Sequence, residues 1–392
     1  MLKLHGHQEL RRRVVRRLTH ALLGDASAPS PTALPIDQRR VHRVLVCRPN
    51  HRLGNLLLLT PLLQELQRSL PGAKVDIVLA GKDGAGLFRT FGNVTHTYTL
   101  SRRMVRHPVQ TVRIAMQIRH AHYDLVIDPC EGSQSARWFA VLAHATYMIG
   151  GHGGTPDLDA GAAPRHMAQW PAYLLRRALA APQADYPALD LRLAADECER
   201  GRRILRTLIP VGAPQACVLG VFADATGAKC YDPAWWLRCL GALQAQVPGV
   251  CIVEIAPPDG RSRLSARFPV FSAANPRKVA TVISQMTGFI SADCGVMHLA
   301  CASGVATFGL FKVTDAAQYA PYGHGSRAID TRGLNPEQVA QQVAAALHVL
   351  QANANPAPPD PERHHPVTQV ERAADMGRAD CFPLPPQGEA SR

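Results

Sequence analysis

Residues 288–311 read GFISADCGVMHLACASGVATFGLF. The first five, Gly288–Ala292, are apolar and short, as a parallel strand buried on both faces would be. Asp293, Cys294 and Gly295 break the run. From Val296 the apolar residues Met297, Leu299, Ala300 and Ala302 predict a helix, which Ser303 and Gly304 end. A second strand-like run occupies residues 305–311. The order is strand, tight glycine turn, helix, strand. Such a turn aims backbone N–H groups and the positive end of the helix dipole at one point, which suits a phosphate. Gly295 lets a ligand approach the backbone closely. His298 falls on the first helical turn, within reach of the same point. Asp293 accepts hydrogen bonds from a hydroxyl-rich ligand or caps the helix. The same pattern also fits an ordinary βαβ connection with a capping aspartate and a packed histidine.

Length and composition bound what surrounds this unit. The chain has 392 residues, more than one core usually organises, so two domains are expected. The expected division is a basic segment and linker over residues 1–40, a first domain over 41–180, a second over 181–350 and a disordered tail over 351–392. No run is long and apolar enough to span a membrane. The start, MLKLHGHQELRRRVVRR, lacks the apolar core of a secretory signal. Ten cysteines are scattered without a CxxC pair or convincing metal-ligand spacing, which fits a reduced, cytoplasmic compartment and no metal site. A formal net charge of +13 implies anionic partners.

Within residues 1–20, Leu10, Val14, Val15 and Leu18 share a helical face flanked by Arg11, Arg12, Arg13, Arg16 and Arg17. That pattern suits attachment to an anionic membrane surface, and it also suits a solvated terminus. Residues 27–35, SAPSPTALP, read as a linker.

The first domain alternates strand and helix. Strands are predicted at 43–47, 75–80, 94–100 and 123–127, and helices at 55–70, 105–120 and 138–145. Pro61 should kink the first of these helices. Alternation of this kind implies a parallel, doubly wound sheet. Ligands meet such sheets at the loops after the strands' carboxyl ends, here residues 48–55 and 128–133. Residues 150–164, GGHGGTPDLDAGAAP, are too rich in Gly and Pro for regular structure and suit either a mobile flap over an acceptor or a plain surface loop. The second domain repeats the scheme, with strands at 217–221, 250–255, 288–292 and 305–311 and helices starting at Pro233, Val279 and Pro336. Residues 312–323 read as a loop.

Four stretches together resemble glycosyltransferase family 9, the bacterial heptosyltransferase family. RPNHRLGNLLLLTPLLQELQRSLPGAKVDIV resembles its opening, and YDLVIDPCEGSQSARW its mid-domain strand and loop. FADATGAKCYDPAWW resembles its nucleotide-phosphate segment, and SADCGVMHLACASGVATFGLF its C-terminal signature. The resemblance implies a GT-B architecture, in which two Rossmann-like α/β domains face a central cleft. It implies a metal-independent, inverting transferase that moves heptose or a similar sugar from a nucleotide diphosphate donor to lipopolysaccharide core or a related envelope glycan. No cofactor is implied beyond that donor, by resemblance an ADP-sugar, which is a substrate. A peripheral place on the cytoplasmic face of the inner membrane would follow.

By resemblance, Asp293, Gly295 and His298 match donor-contacting positions, and Cys294 stands where the family has Ser or Thr. Thr226 and Gly227 precede Lys229, whose point charge suits a leaving diphosphate. One departure is notable. The family has a catalytic Asp after the first-domain glycine, and here Gly54 is followed by Asn55. An amide cannot take a hydroxyl proton at neutral pH. His51, Asp128 and Glu131 are the candidate replacement bases, with His51 first because an ordinary histidine titrates near neutral pH. The alternative is a transferase-like protein without turnover, serving as a binding or scaffold subunit at the membrane. A nucleic-acid role is disfavoured, because aromatic residues are not interleaved with the basic runs. No G-x-G-x-x-G follows the first strand, which argues against a dinucleotide oxidoreductase.

Overall fold

The computed structural model describes residues 35–130, 133–150, 163–181, 185–209 and 217–354. The chain divides into a unit of Met1–Gln351, which carries both sheets, and one of Ala352–Arg392, of which only residues 352–354 are described. Two proposed features, the basic segment 1–20 and the tail beyond 354, lie outside the described residues, as does the flap apart from its ends.

The first sheet forms because RVLVC, KVDIVLA and LVID are apolar on both faces, and parallel strands covered by helices on both sides demand that. In chain order its elements are β1 (Arg43–Cys47), α1 (Leu53–Leu57), α2 (Thr60–Ser69), β2 (Lys74–Ala80) and β3 (Val94–Leu100). They continue with α3 (Pro108–His120), β4 (Leu125–Asp128), α4 (Gln134–Leu142) and β5 (Tyr147–Gly150). All pairings are parallel, in the order β3-β2-β1-β4-β5. Next come α5 (Gln169–Ala178) and α6 (Ala195–Leu208), which join the two sheets in sequence.

The second sheet contains β6 (Val218–Phe222), α7 (Pro233–Gln246), β7 (Cys251–Ile255), β8 (Val270–Phe271), α8 (Pro276–Ile283) and β9 (Gly288–Ala292). It closes with α9 (Gly295–Ala302), β10 (Ala306–Phe311), α10 (Ala316–Tyr319), β11 (Arg327–Asp330) and α11 (Pro336–Ala354). Its order is β11-β10-β9-β6-β7-β8, again all parallel.

In each sheet the winding reverses between two central strands, β1 and β4 in the first and β6 and β9 in the second. A ligand crevice opens at the carboxyl ends of such strands. Each described candidate site residue follows one of these four strands, except Asp128, which ends β4.

Several elements differ from the sequence reading. The helix expected over 55–70 is two helices, α1 and α2, broken at Leu58 and Leu59, with Pro61 in the first turn of the second. Proline tolerates that position because the N–H it lacks would have no helical partner. Helix α1 begins at Leu53, so Gly54 is helical and not part of the preceding loop. Strands β5, β8 and β11 and the single-turn α10 are additional, each only two to four residues long. Helix α8 starts at Pro276 under an Asn275 cap, whose side chain accepts from the Arg277 N–H.

The two sheets share one apolar core. Leu56 and Leu57 of α1 pack in the same cluster as Leu299 and Ala300 of α9. A buried polar clamp adds to it. The Arg277 guanidinium, 3 % exposed, donates to both Glu197 carboxylate oxygens, to Thr90 Oγ1 and to the carbonyls of Leu87, Leu191 and Arg192. Burial alone would raise the Glu197 carboxyl. The hydrogen bonds and charges of Arg277 and Arg89 win, holding it down at about 2. Glu65 and Arg176, both fully buried and paired at 2.8 Å, tie α2 to α5 in the same way.

Candidate functional site

The site is built where α1 and α9 meet end to end. Both helices start at a glycine-containing turn after a central strand. A Cβ on Gly295 would lie 3.1 Å from the Gly54 backbone nitrogen and 3.3 Å from Leu53 Cβ. A Cβ on Gly54 would lie 2.9 Å from His298 Cδ2 and 3.3 Å from Gly295 Cα. Only paired glycines permit this approach. Asn55, the next residue of α1, is half-buried.

Cys294, not Asp293, occupies the N-cap of α9; its backbone is extended and its side chain makes no capping hydrogen bond. That corrects the capping alternative for Asp293. The Asp293 carboxylate instead turns to Lys229, whose Nζ donates to Oδ2 at 2.5 Å, and to the Thr314 hydroxyl. Asp293 is buried and Lys229 about one-third exposed, so an ammonium is held at the mouth of a helix N-terminus. Burial pushes the Cys294 thiol up, while the Ser291 hydroxyl draws it partly back.

His298 is 5 % exposed. Burial drives its imidazole down to about 4, a shift that Asp293 opposes and that His166 and Lys229 reinforce. It is therefore neutral at physiological pH. Thr226 and Gly227 are exposed and lead into a short turn, Gly227–Lys229, with Gly227 at φ 61°.

On the first-sheet side, residues 48–52 form a loop pinned to β2. The Asn50 carbonyl accepts from the Ala80 N–H at 3.1 Å, and the Asn50 side chain accepts from the Arg52 N–H at 2.8 Å. His51 is exposed and flanks Gly81 together with Arg102. Beyond Gly81 lies a cavity of about 790 Å³ whose lining includes Ser101, Arg102, Arg103 and His107. Asp128 is 3 % exposed. Burial raises its carboxyl to about 6 against the pull of the Cys130 N–H, Arg48 and Arg137. Arg48 donates to the Cys130 thiol. Glu131 lies outside the described residues.

The structure thus gathers Lys229, Asp293, Cys294, Gly295 and His298 around one helix end and brings Gly54, the neighbour of Asn55, against it. His51 stands on the loop after β1, and Asp128 is the last residue of β4. The sequence reading missed Thr314 and His166. Thr314 follows β10, the neighbour of β9, so strand order was the signal that could have found it. His166 accepts from the Ala168 N–H and donates to the Ala320 carbonyl at 2.9 Å, with no motif around it. Among the described residues, no group of three His, Cys, Asp or Glu side chains is placed to hold a metal, and no helix is long and apolar enough to cross a membrane.

Residues 111–348, more than half of the chain, match the family model for glycosyltransferase family 9 (heptosyltransferase). The chain belongs to glycosyltransferase family 9. It is a glycosyltransferase of GT-B architecture, with two parallel-sheet domains. Solved structures of the same fold include a family 9 glycosyl transferase from Veillonella parvula, at TM-score 0.63 and 16 % identity over 80 % of this chain and 97 % of that one. The E. coli heptosyltransferase WaaC with ADP aligns at TM-score 0.58 and 20 % identity over 78 % of this chain and 99 % of that one. E. coli ADP-heptose lps heptosyltransferase II aligns at 0.60 and 16 % identity, over 80 % and 99 %. Comparison with curated proteins gives no match.

Proposed function

We propose that this family 9 enzyme takes its sugar from a nucleoside diphosphate donor of the ADP-heptose kind. It would pass the sugar, with inversion and without a metal, to a lipid-linked envelope glycan such as lipopolysaccharide core. The observation that carries this reading is the meeting of Lys229, Asp293 and the N-terminus of α9 with the glycine end of α1. The presence of ADP in one E. coli WaaC structure, and of ADP-2-deoxy-2-fluoro heptose in another, supports the donor class.

As the acceptor oxygen attacks the anomeric carbon, the bond from that carbon to the diphosphate oxygen breaks, and its electron pair stays on the diphosphate. Attack from the face opposite the leaving group inverts the centre. The growing negative charge faces the α9 N–H groups and the Lys229 ammonium, which Asp293 holds in place before reaction begins. Thr226 and Gly227 would shape the approach to that ammonium. Neutral His298 can donate or accept one hydrogen bond without adding charge.

The acceptor proton leaves to a base on the first-sheet side. Asn55 cannot be that base, but it would orient the hydroxyl. Asp128 is buried and its carboxylate accepts from the Cys130 N–H at 3.1 Å. An acceptor must touch its base directly or through one water, so the exposed His51 takes the role. Attachment to anionic membranes through residues 1–20 belongs to the same reading.

Transfer assays on the purified full chain test this. His51→Ala should lower turnover by roughly 100- to 10,000-fold with donor affinity unchanged. Asn55→Asp should fold normally and leave turnover similar or higher. A fully active His51→Ala would move the role to Asp128, with Asp128→Asn the next variant. Absence of nucleotide release and sugar transfer by wild type across ADP-, GDP-, UDP- and CMP-sugars would refute the transferase reading.

A further inference from the structure

We infer that the outward face of α3 docks on an anionic lipid bilayer. The helix buries Ile114, Ala115 and Ile118 against the sheet. On the opposite side Val109 is 81 % exposed, Val112 53 % and Met116 58 %. Their spacing of three and four residues places them on one stripe. Elsewhere among the described residues the strongly exposed large apolar side chains, Val313 and Val349, stand alone. A shallow apolar hollow of about 450 Å³ runs along the stripe, edged by Arg113, Gln117 and His120.

The rim supplies the charge. Arg102, Arg103, Arg106 and His107 are exposed ahead of the helix, and Arg113 and Arg119 along it. No Asp or Glu occurs between Asp83 and Asp124. Helix stability does not explain this arrangement, because cations near a helix N-terminus oppose its dipole. An apolar stripe rimmed by arginine matches the boundary between acyl chains and anionic headgroups. A nucleic acid would have to place its phosphates over Val109, Val112 and Met116. A second copy of the chain, meeting this face about a twofold axis, would bring the same arginines against each other.

The cavity beside His51 opens at the N-terminal end of α3. With α3 on the bilayer, a lipid-linked acceptor would enter from headgroup level. That consequence rests on the proposed function; the docking itself does not.

Flotation of the full chain with phosphatidylcholine vesicles containing one-quarter phosphatidylglycerol tests the docking without donor or acceptor, so its outcome is independent of sugar transfer. Wild type should partition to these vesicles, far less to pure phosphatidylcholine, and less in high salt. The double variant Val112→Asp, Met116→Asp changes only exposed positions, which circular dichroism and thermal midpoint would check. It should reduce partitioning at least tenfold. Each of Arg113→Gln and Arg119→Gln should reduce it about fivefold at low salt. Unchanged flotation of the double variant would overturn the inference. Loss of self-association in light scattering, with flotation unchanged, would assign the face to a second copy and overturn it equally.

Discussion

Gly54→Ala probes the junction on which the site depends. The added methyl would lie 2.9 Å from His298 Cδ2 and 3.3 Å from Gly295 Cα. Carbon atoms prefer about 3.5–4.0 Å, so the nearer contact is too close by at least roughly 0.6 Å. The His298 ring is only 5 % exposed and the other neighbour is backbone, so neither yields easily. Overpacking of this kind costs about 1–3 kcal/mol. Replacing a helical glycine returns about 0.5–1 kcal/mol, leaving a net loss of about 0–2.5 kcal/mol, centred near 1. Gly241→Ala is the matched control. It lies within α7 and its added methyl meets nothing within 4 Å, so it should stabilise by about 0.5–1 kcal/mol. Urea unfolding midpoints of the two variants should therefore move in opposite directions. Transfer kinetics should show a lower kcat for Gly54→Ala, because α1 is pushed from α9, with ADP affinity nearly intact. If Gly54→Ala gains stability as Gly241→Ala does, and keeps wild-type turnover, the close junction of the two helices is wrong.

Three further outcomes are expected. Lys229→Ala should weaken ADP binding by about 10- to 150-fold, the span of a charged hydrogen bond, and leave adenosine binding unchanged by calorimetry; equal losses would remove Lys229 from the phosphates. His298 has a native value of about 4 against an ordinary 6.5, so its contribution to stability is whole above pH 6.5 and drains away as pH falls towards 4. Between pH 7 and pH 5 that amounts to about 2 kcal/mol, and His298→Gln should lose about that much less than wild type over the same interval in urea titrations. The idea fails if the acid limbs coincide. Arg277→Met should cost about 3–5 kcal/mol by stripping the buried Glu197 of its main partner, leaving it only Arg89 and the Ala194 N–H, and Arg277→Lys should not restore it because the single ammonium cannot reach all the acceptors; a loss under about 1 kcal/mol would refute the clamp.

The central strands and the turn at Asp293–Gly295 were legible because burial on both faces writes itself into composition. RVLVC and GFISA have no polar face to hide. What was not legible is edge structure. Strand β11, RAID, keeps Arg327 and Ala328 exposed and carries no apolar pattern, so its place is set by pairing with β10. The break between α1 and α2 was half legible. Pro61 marks a disturbance, but whether it kinks one helix or opens a second depends on how Leu56 and Leu63 reach the shared core.

The site follows the same division. Lys229 and Asp293 were each visible inside a motif, yet nothing in either motif says that they bond to one another. That bond changes what each does. Asp293 does not cap α9, so the N-cap falls to Cys294, whose thiol is a weak acceptor compared with the usual Ser or Thr oxygen. The first N–H groups of α9 are thereby left with a poor internal partner. The Asp293 carboxylate holds an ammonium beside them instead. A phosphate arriving there meets both the under-satisfied N–H groups and a fixed positive charge, with no competing side-chain oxygen at the N-cap to displace. On the proposed function, a thiol at position 294 would leave those N–H groups to the donor's phosphate rather than to a side-chain oxygen.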